Sequence, residues 1–142
     1  MEVIAEQPLV VLDGAHNPAG MQMLKKTLQD DFGYGRLILV IGILKDKDIQ
    51  KMMATISSIC DVIIVTKSEN TRACGPDKLK EIVETLGFTK SLFLEESLVQ
   101  AVDMAKRIAS NTDLICISGS LFTVGEARSY LLKRSEHKLL RS

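Results

Sequence analysis

The sequence predicts an α/β domain, a three-layer Rossmann-like arrangement with a mainly parallel sheet of about five or six strands and helices on both faces. Two observations carry this. Short, continuous runs rich in Val, Ile and Leu recur along the chain, as strands covered on both faces require. Between them lie segments whose apolar residues repeat at helical spacing, opened and closed by capping residues.

The strand runs are Leu9–Leu12, Leu37–Ile41, Val62–Val65, Leu92–Leu94 and Leu114–Ile117. A helix is expected over Pro18–Phe32, where Met21, Leu24 and Leu28 share a face, with Asn17 as N-cap and Pro18 at the first helical position. Ile49, Met52, Met53 and Ile56 define a second helix over Asp48–Ile59. Gly75-Pro76-Asp77 opens a third, over Pro76–Leu86, with Leu79, Ile82, Val83 and Leu86 inward. Leu98, Val102, Ala105 and Ala109 mark a fourth over Ser97–Ala109, and a last helix is expected from about Ser120 to Arg134. Gly33 and Gly87 follow the first and third helices, where a left-handed cap is wanted. Strand and helix thus alternate five times, and residues 1–142 read as one domain with no linker, repeat or low-complexity segment.

Composition narrows the class. With 142 residues the chain is of ordinary single-domain size and long enough to bury a core without metals or staples. Lys and Arg together number 18, as do Asp and Glu, so no positive surplus points to nucleic acid. No Trp and few aromatics leave little on which bases could stack. The longest apolar run, Leu37 to Leu44, is far below the roughly 20 residues that span a bilayer, so no membrane partner is expected. Met1-Glu2-Val3-Ile4-Ala5-Glu6 is acidic where a signal peptide is basic. Cys60, Cys74 and Cys116 have neither metal-ligand nor redox-motif spacing and read as buried thiols, consistent with a cytoplasmic location.

In parallel sheets, ligands gather beyond the carboxyl ends of the strands. The strand exits here are Asp13-Gly14-Ala15-His16-Asn17-Pro18, Gly42 to Asp48, Thr66 to Ala73 and Ser118-Gly119-Ser120. Helices start directly after them, so free N–H groups and positive dipole ends face one rim suited to a carboxylate or phosphate. Each residue has a plainer role open to it: Asp13 ends a strand, His16 is a satisfied loop histidine, Asn17 and Ser120 are caps. The charged run Lys45-Asp46-Lys47-Asp48 is a solvated turn, and Arg72 a surface residue. Their joint placement on one rim is what points to a site. Walker A and G-x-G-x-x-G motifs are absent, and two widely separated histidines give no protein-only zinc site. The residues alone therefore describe an α/β domain that helps to bind an anionic small molecule.

Leu12-Asp13-Gly14-Ala15-His16-Asn17-Pro18 resembles the D-G-A-H-N-P motif of folylpolyglutamate and dihydrofolate synthases, members of the Mur ligase superfamily. Three further segments match in order: Gly42 with Asp46-Lys47-Asp48 resembles the family's glycine and D-K-D, Ser68–Ala73 its S-x-x-x-R-[AS] loop, and Gly119–Glu126 its G-S-L-[YF]-x-V-G-E helix start. The resemblance covers only the last of three regions. The amino-terminal P-loop ATPase domain and the central domain, with its magnesium and carbamylated-lysine elements, lie outside it, so the chain resembles a carboxy-terminal domain that works with them.

The resemblance implies a ligase that phosphorylates a carboxylate of folate or dihydropteroate with ATP, after which the amine of L-glutamate attacks the acyl phosphate. ATP and Mg2+ would be held mainly by the other domains, with neither bound tightly by this one. Asp13 would reach the nucleotide ribose or orient neighbours, and His16 would contact the incoming amino acid or take its ammonium proton; these are the two catalytic candidates. Asn17, Lys45, Lys47, Arg72 and Ser120 would contact glutamate or nucleotide, Arg72 through its planar fork and Ser120 with the helix N-terminus. No metal ligand is assigned. Thr71 departs from the Pro that relatives often place before the arginine, and Ser68–Arg72 is nearly as similar to the S-D-N-P-R loop of the amino-acid-adding peptidoglycan ligases. The matching domain of another Mur-type ligase, and a stand-alone binding or regulatory module, are the alternatives.

Overall fold

In the computed structural model, which describes residues 1–141 with side chains for 1–136, six strands form one sheet. The elements are β1 (Glu2–Glu6), β2 (Leu9–Asp13), α1 (Pro18–Asp31), β3 (Leu37–Ile41), α2 (Ile49–Ser57), β4 (Val62–Val65), α3 (Pro76–Thr85), β5 (Ser91–Leu94), α4 (Leu98–Ile108), β6 (Leu114–Ser118) and α5 (Leu121–Arg141). Spatial order is β1-β2-β6-β3-β4-β5. From β2 to β5 the pairing is parallel, and β1 runs antiparallel on the outside of β2.

Every residue of β3, β4 and β6 is buried, because both faces are covered. Leu37, Leu39 and Ile41 pack with Met21, Leu28, Met52, Ile56 and Leu79 on the α1–α2–α3 face. Ile38 and Val40 point the other way, onto Ala101, Val102, Ala105 and Ala127 of α4 and α5. Burying one such Leu or Ile contributes about 1.5–3 kcal/mol, so these two apolar layers dominate the stability of the sheet. The distribution of helices follows from handedness. The connections β2–β3, β3–β4 and β4–β5 step across the sheet one way and β5–β6 steps back, so right-handed crossovers put α4 opposite α1, α2 and α3.

Two expectations need correction. Gly33 is not a left-handed cap: α1 ends at Phe32 in extended backbone (φ −130°), and the only glycines with positive φ among the described residues are Gly87 and Gly119. Phe32 turns back against the α1 layer, and that apolar contact sets the exit of the chain. The run Leu92–Leu94 belongs to β5, an edge strand alternating between exposed and half-buried, rather than one covered on both faces. The sixth strand is β1, which the apolar runs did not mark. Only Ile4 of it is even half-buried. No helix among the described residues is long and apolar enough to cross a membrane.

Candidate functional site

The chain leaves β2 and β3 towards the α1 and α2 face but leaves β6 towards α5, so crevices open on either side of the β6 exit. Gly119 makes the turn possible. Its φ is +112°, and a Cβ there would collide with the Gly42 carbonyl oxygen and come within 2.9 Å of Ile41. The β3 and β6 exits therefore touch backbone to backbone.

On the β2 side, Asp13 is half-buried and accepts a 3.1 Å hydrogen bond from the Ala15 N–H, while its other oxygen lies 3.4 Å from the Met1 amino group. Register places Ser118 beside Asp13 on the same face. The Ser118 hydroxyl is fully buried, with no partner among the described residues. Exposed His16 places Nδ1 2.9 Å from the Gly14 carbonyl oxygen. A carbonyl can only accept, so Nδ1 is the donor in this contact and Nε2 is left free of it. Asn17 caps α1, its Oδ1 accepting from Gly20 at 2.7 Å.

On the β3 and β4 side, the two exit loops zip together. The Lys45 N–H donates to the Arg72 carbonyl oxygen at 2.8 Å, Cys74 N–H donates to Ile43 at 2.8 Å, and Leu44 and Ala73 form an antiparallel bridge. Lys45 and Arg72, far apart in sequence, are thus neighbours with exposed side chains, and half-buried Lys47 follows in the same turn. None of the ion pairs or side-chain hydrogen bonds among the described residues uses Lys45, Lys47 or Arg72 through its cationic group. Asp48 instead caps α2 through the Lys51 N–H. Three cations without carboxylate partners beside the start of α2 form an anion-attracting edge.

Ser120 differs from its neighbours. It is 2% exposed, and its hydroxyl accepts from the Thr123 N–H and donates to the Thr123 hydroxyl, both at 3.0 Å. Its side chain is committed to capping α5, and the free backbone N–H groups of that helix start remain. Thr123 and Glu126 were not singled out by the sequence. Thr123 ties α5 to Gly42, and Glu126 ties it to the β4 exit. Both were visible only as members of the Gly119–Glu126 segment. The rim also carries a cleft of about 300 Å³, between Lys67, Ser68, Glu69, Glu96, Ser97 and Glu126. A larger one, about 850 Å³, lies by the start of β2 against Ile4, Val10, Lys106, Tyr130 and Leu131, away from these residues. No group of three metal-ligating side chains occurs among the described residues.

The family model for the Mur ligase, glutamate ligase domain matches residues 1–121. The chain belongs to the Mur ligase glutamate ligase domain family. A relative from Haloferax volcanii, the probable bifunctional folylpolyglutamate synthase/dihydropteroate synthase, is 34% identical over 128 residues, covering 90% of this chain and 15% of its own. The structure of Mycobacterium tuberculosis folylpolyglutamate synthase complexed with ADP superposes with a TM-score of 0.86 at 29% identity, over 92% of this chain and 31% of that one. A bifunctional folylpolyglutamate synthase/dihydrofolate synthase with Mn, AMPPNP and L-glutamate bound gives a TM-score of 0.82 at 29% identity, over 92% of this chain and 30% of that one. This glutamate ligase domain thus spans between about one seventh and one third of the proteins it resembles. The family match, residues 1–121, takes in all six strands, from Glu2 to Ser118.

Proposed function

We propose that this domain is the glutamate- and nucleotide-contacting carboxy-terminal part of an ATP-dependent ligase that joins L-glutamate to folate or dihydropteroate. The observation that carries the reading is the pairing of the Lys45 and Arg72 loops, which holds two unneutralised cations together across from Asp13 and His16. L-Glutamate brings two carboxylates and an ammonium. Arg72 offers a fork to one carboxylate, with Lys45 and Lys47 adding charge. The ammonium must lose a proton before it can attack an acyl phosphate, and His16 Nε2 is a base facing solvent at the rim. Asp13 accepts from ribose hydroxyls, and Asn17 and Ser120 fix the two helix starts that face the reacting groups. Attack on the acyl phosphate forms the amide and releases phosphate, ADP having left in the activation step; the domain contributes position and charge neutralisation.

The amino-terminal and central domains would supply the P-loop, the acceptor and most of the nucleotide contacts. Mg2+ would be held mainly by those domains. Closure of the rim over them would keep water from the acyl phosphate.

The experiment is to supply the amino-terminal and central regions of a relative, fused or in trans, and to measure L-glutamate-dependent ATP hydrolysis. Restored turnover that is lost on Asp13→Ala or His16→Ala, with little change in melting temperature, is expected. No restoration from folded pieces would favour a non-catalytic binding module. The chain alone is expected not to hydrolyse ATP.

A further inference from the structure

The first two turns of α5 reach across the sheet to two other strand exits. Thr123 and Glu126 are one turn apart and share a face. Thr123 donates to the Gly42 carbonyl oxygen, and both carboxylate oxygens of Glu126 lie 3.0 Å from the Glu69 N–H. Hydrogen bonds from N–H to a carboxylate are roughly twice as strong as neutral ones. Glu126 is half-buried, and no cation pairs with it among the described residues, so this amide is what it serves.

The amide of Glu69 belongs to the loop that carries Arg72. Beyond it, Asn70 N–H reaches Ser68 Oγ at 3.4 Å and Arg72 N–H donates to Asn70 Oδ1 at 2.8 Å. Ala73 N–H donates to the Asn70 carbonyl oxygen at 3.0 Å, and the Arg72 carbonyl accepts from Lys45 at 2.8 Å. The loop is therefore held at two ends, by Glu126 on one side and by the Ile43–Lys45 backbone on the other. Arg72 projects from between them with its guanidinium unpaired.

We propose that Glu126 is a positioning residue for amino-acid binding: it fixes the Ser68–Ala73 loop so that Arg72 and Lys45 converge on one substrate carboxylate, without touching substrate itself. This rests on the reading that Arg72 binds the incoming glutamate. A purely structural staple would affect stability alone, whereas a positioning residue shifts the KM for L-glutamate and leaves kcat in place.

Amide hydrogen exchange on this chain tests the geometry. Glu126→Ala should speed exchange at Glu69 and Arg72 by about tenfold or more while sheet amides such as Ile63 and Ile117 stay protected. Glu126→Gln, which keeps an acceptor oxygen, should remain within about threefold of the parent. In the reconstituted ligase, Glu126→Ala should raise the KM for L-glutamate about 5–20-fold, with kcat and the KM for ATP within about twofold, and Gln should restore most of it. Glu126→Asp keeps the charge but falls one methylene short, so it should behave like Ala if Ala fails to fold. Unchanged exchange at Arg72, or an unchanged glutamate KM in the Ala and Asp variants while Arg72→Ala raises it, would overturn the role of Glu126 and leave the proposed function standing. An unchanged glutamate KM in Arg72→Ala would instead overturn the reading on which the role rests.

Discussion

The hydroxyl of Thr123 donates a 2.9 Å hydrogen bond to the carbonyl oxygen of Gly42, 81 residues away in the chain, and the contact is buried. It joins the start of α5 to the exit of β3 at the point where Gly119 brings the two backbones together. Thr123→Val keeps the shape, removes the donor and leaves both the Gly42 carbonyl and Ser120 short of a partner. A loss of about 1–3 kcal/mol is expected, with Thr123→Ser recovering most of it. The urea midpoint at constant m-value reads the change.

Gly119 and Gly125 should respond in opposite directions to the same substitution. At Gly119 an alanine meets a φ of +112° and the Gly42 carbonyl, so a cost of at least about 2 kcal/mol is expected. Gly125 sits in α5 where a methyl group would meet nothing within 4 Å beyond its chain neighbours and the helix's own backbone, and Gly125→Ala should stabilise by about 0.5–1 kcal/mol. Thermal unfolding of the two variants decides; equal shifts would contradict the turn geometry.

Asp113 gives the fold an acid-sensitive joint. Burial pushes its carboxyl up, but hydrogen bonds from the Arg36 guanidinium and the Ser110 N–H more than offset this and hold it below the ordinary value. A group lowered on folding stabilises above its unfolded pKa of about 3.9, and that contribution is lost as pH falls through the folded value. Asp113→Asn should be about 1–3 kcal/mol less stable than the parent at neutral pH. The gap should narrow below about pH 4, and denaturation curves showing a constant gap would refute the assignment.

The three thiols should be silent in the native state. Cys60, Cys74 and Cys116 are all buried, and burial is the main cause that pushes each thiol up. Cys60 also points its Sγ at the Ile56 carbonyl oxygen, 3.2 Å away. An aromatic disulfide reagent at mildly alkaline pH should find almost no thiol in the folded chain and all three in guanidinium chloride. A fast equivalent from folded protein would contradict the packing.

What could be read from the sequence follows from where the physics is local. β3, β4 and β6 announce themselves because burial on both faces forces an unbroken apolar run. Asn17 announces its helix because a cap bond reaches only three residues along the chain. β1 does not, since an edge strand with one half-buried residue owes its form to pairing with β2 rather than to its own pattern. At the rim, Asp13, His16, Lys45 and Arg72 stand out by residue type, whereas the backbone bond that makes Lys45 and Arg72 neighbours is purely tertiary. The same holds for Glu126, whose partner is an amide and leaves no mark on the side chains nearby.

The direction of β1 has a mechanical meaning. Because Glu2 lies opposite Leu12, any polypeptide upstream of Glu2 joins the domain at the rim, alongside Asp13. The β4 exit is three strand spacings away through β6 and β3, about 14 Å at the usual separation. Any rotation about such a joint would have its pivot next to Asp13, with Arg72 on the far arm. A small rotation about that point would leave the Asp13 carboxylate almost stationary while carrying the Arg72 guanidinium through the longer arc.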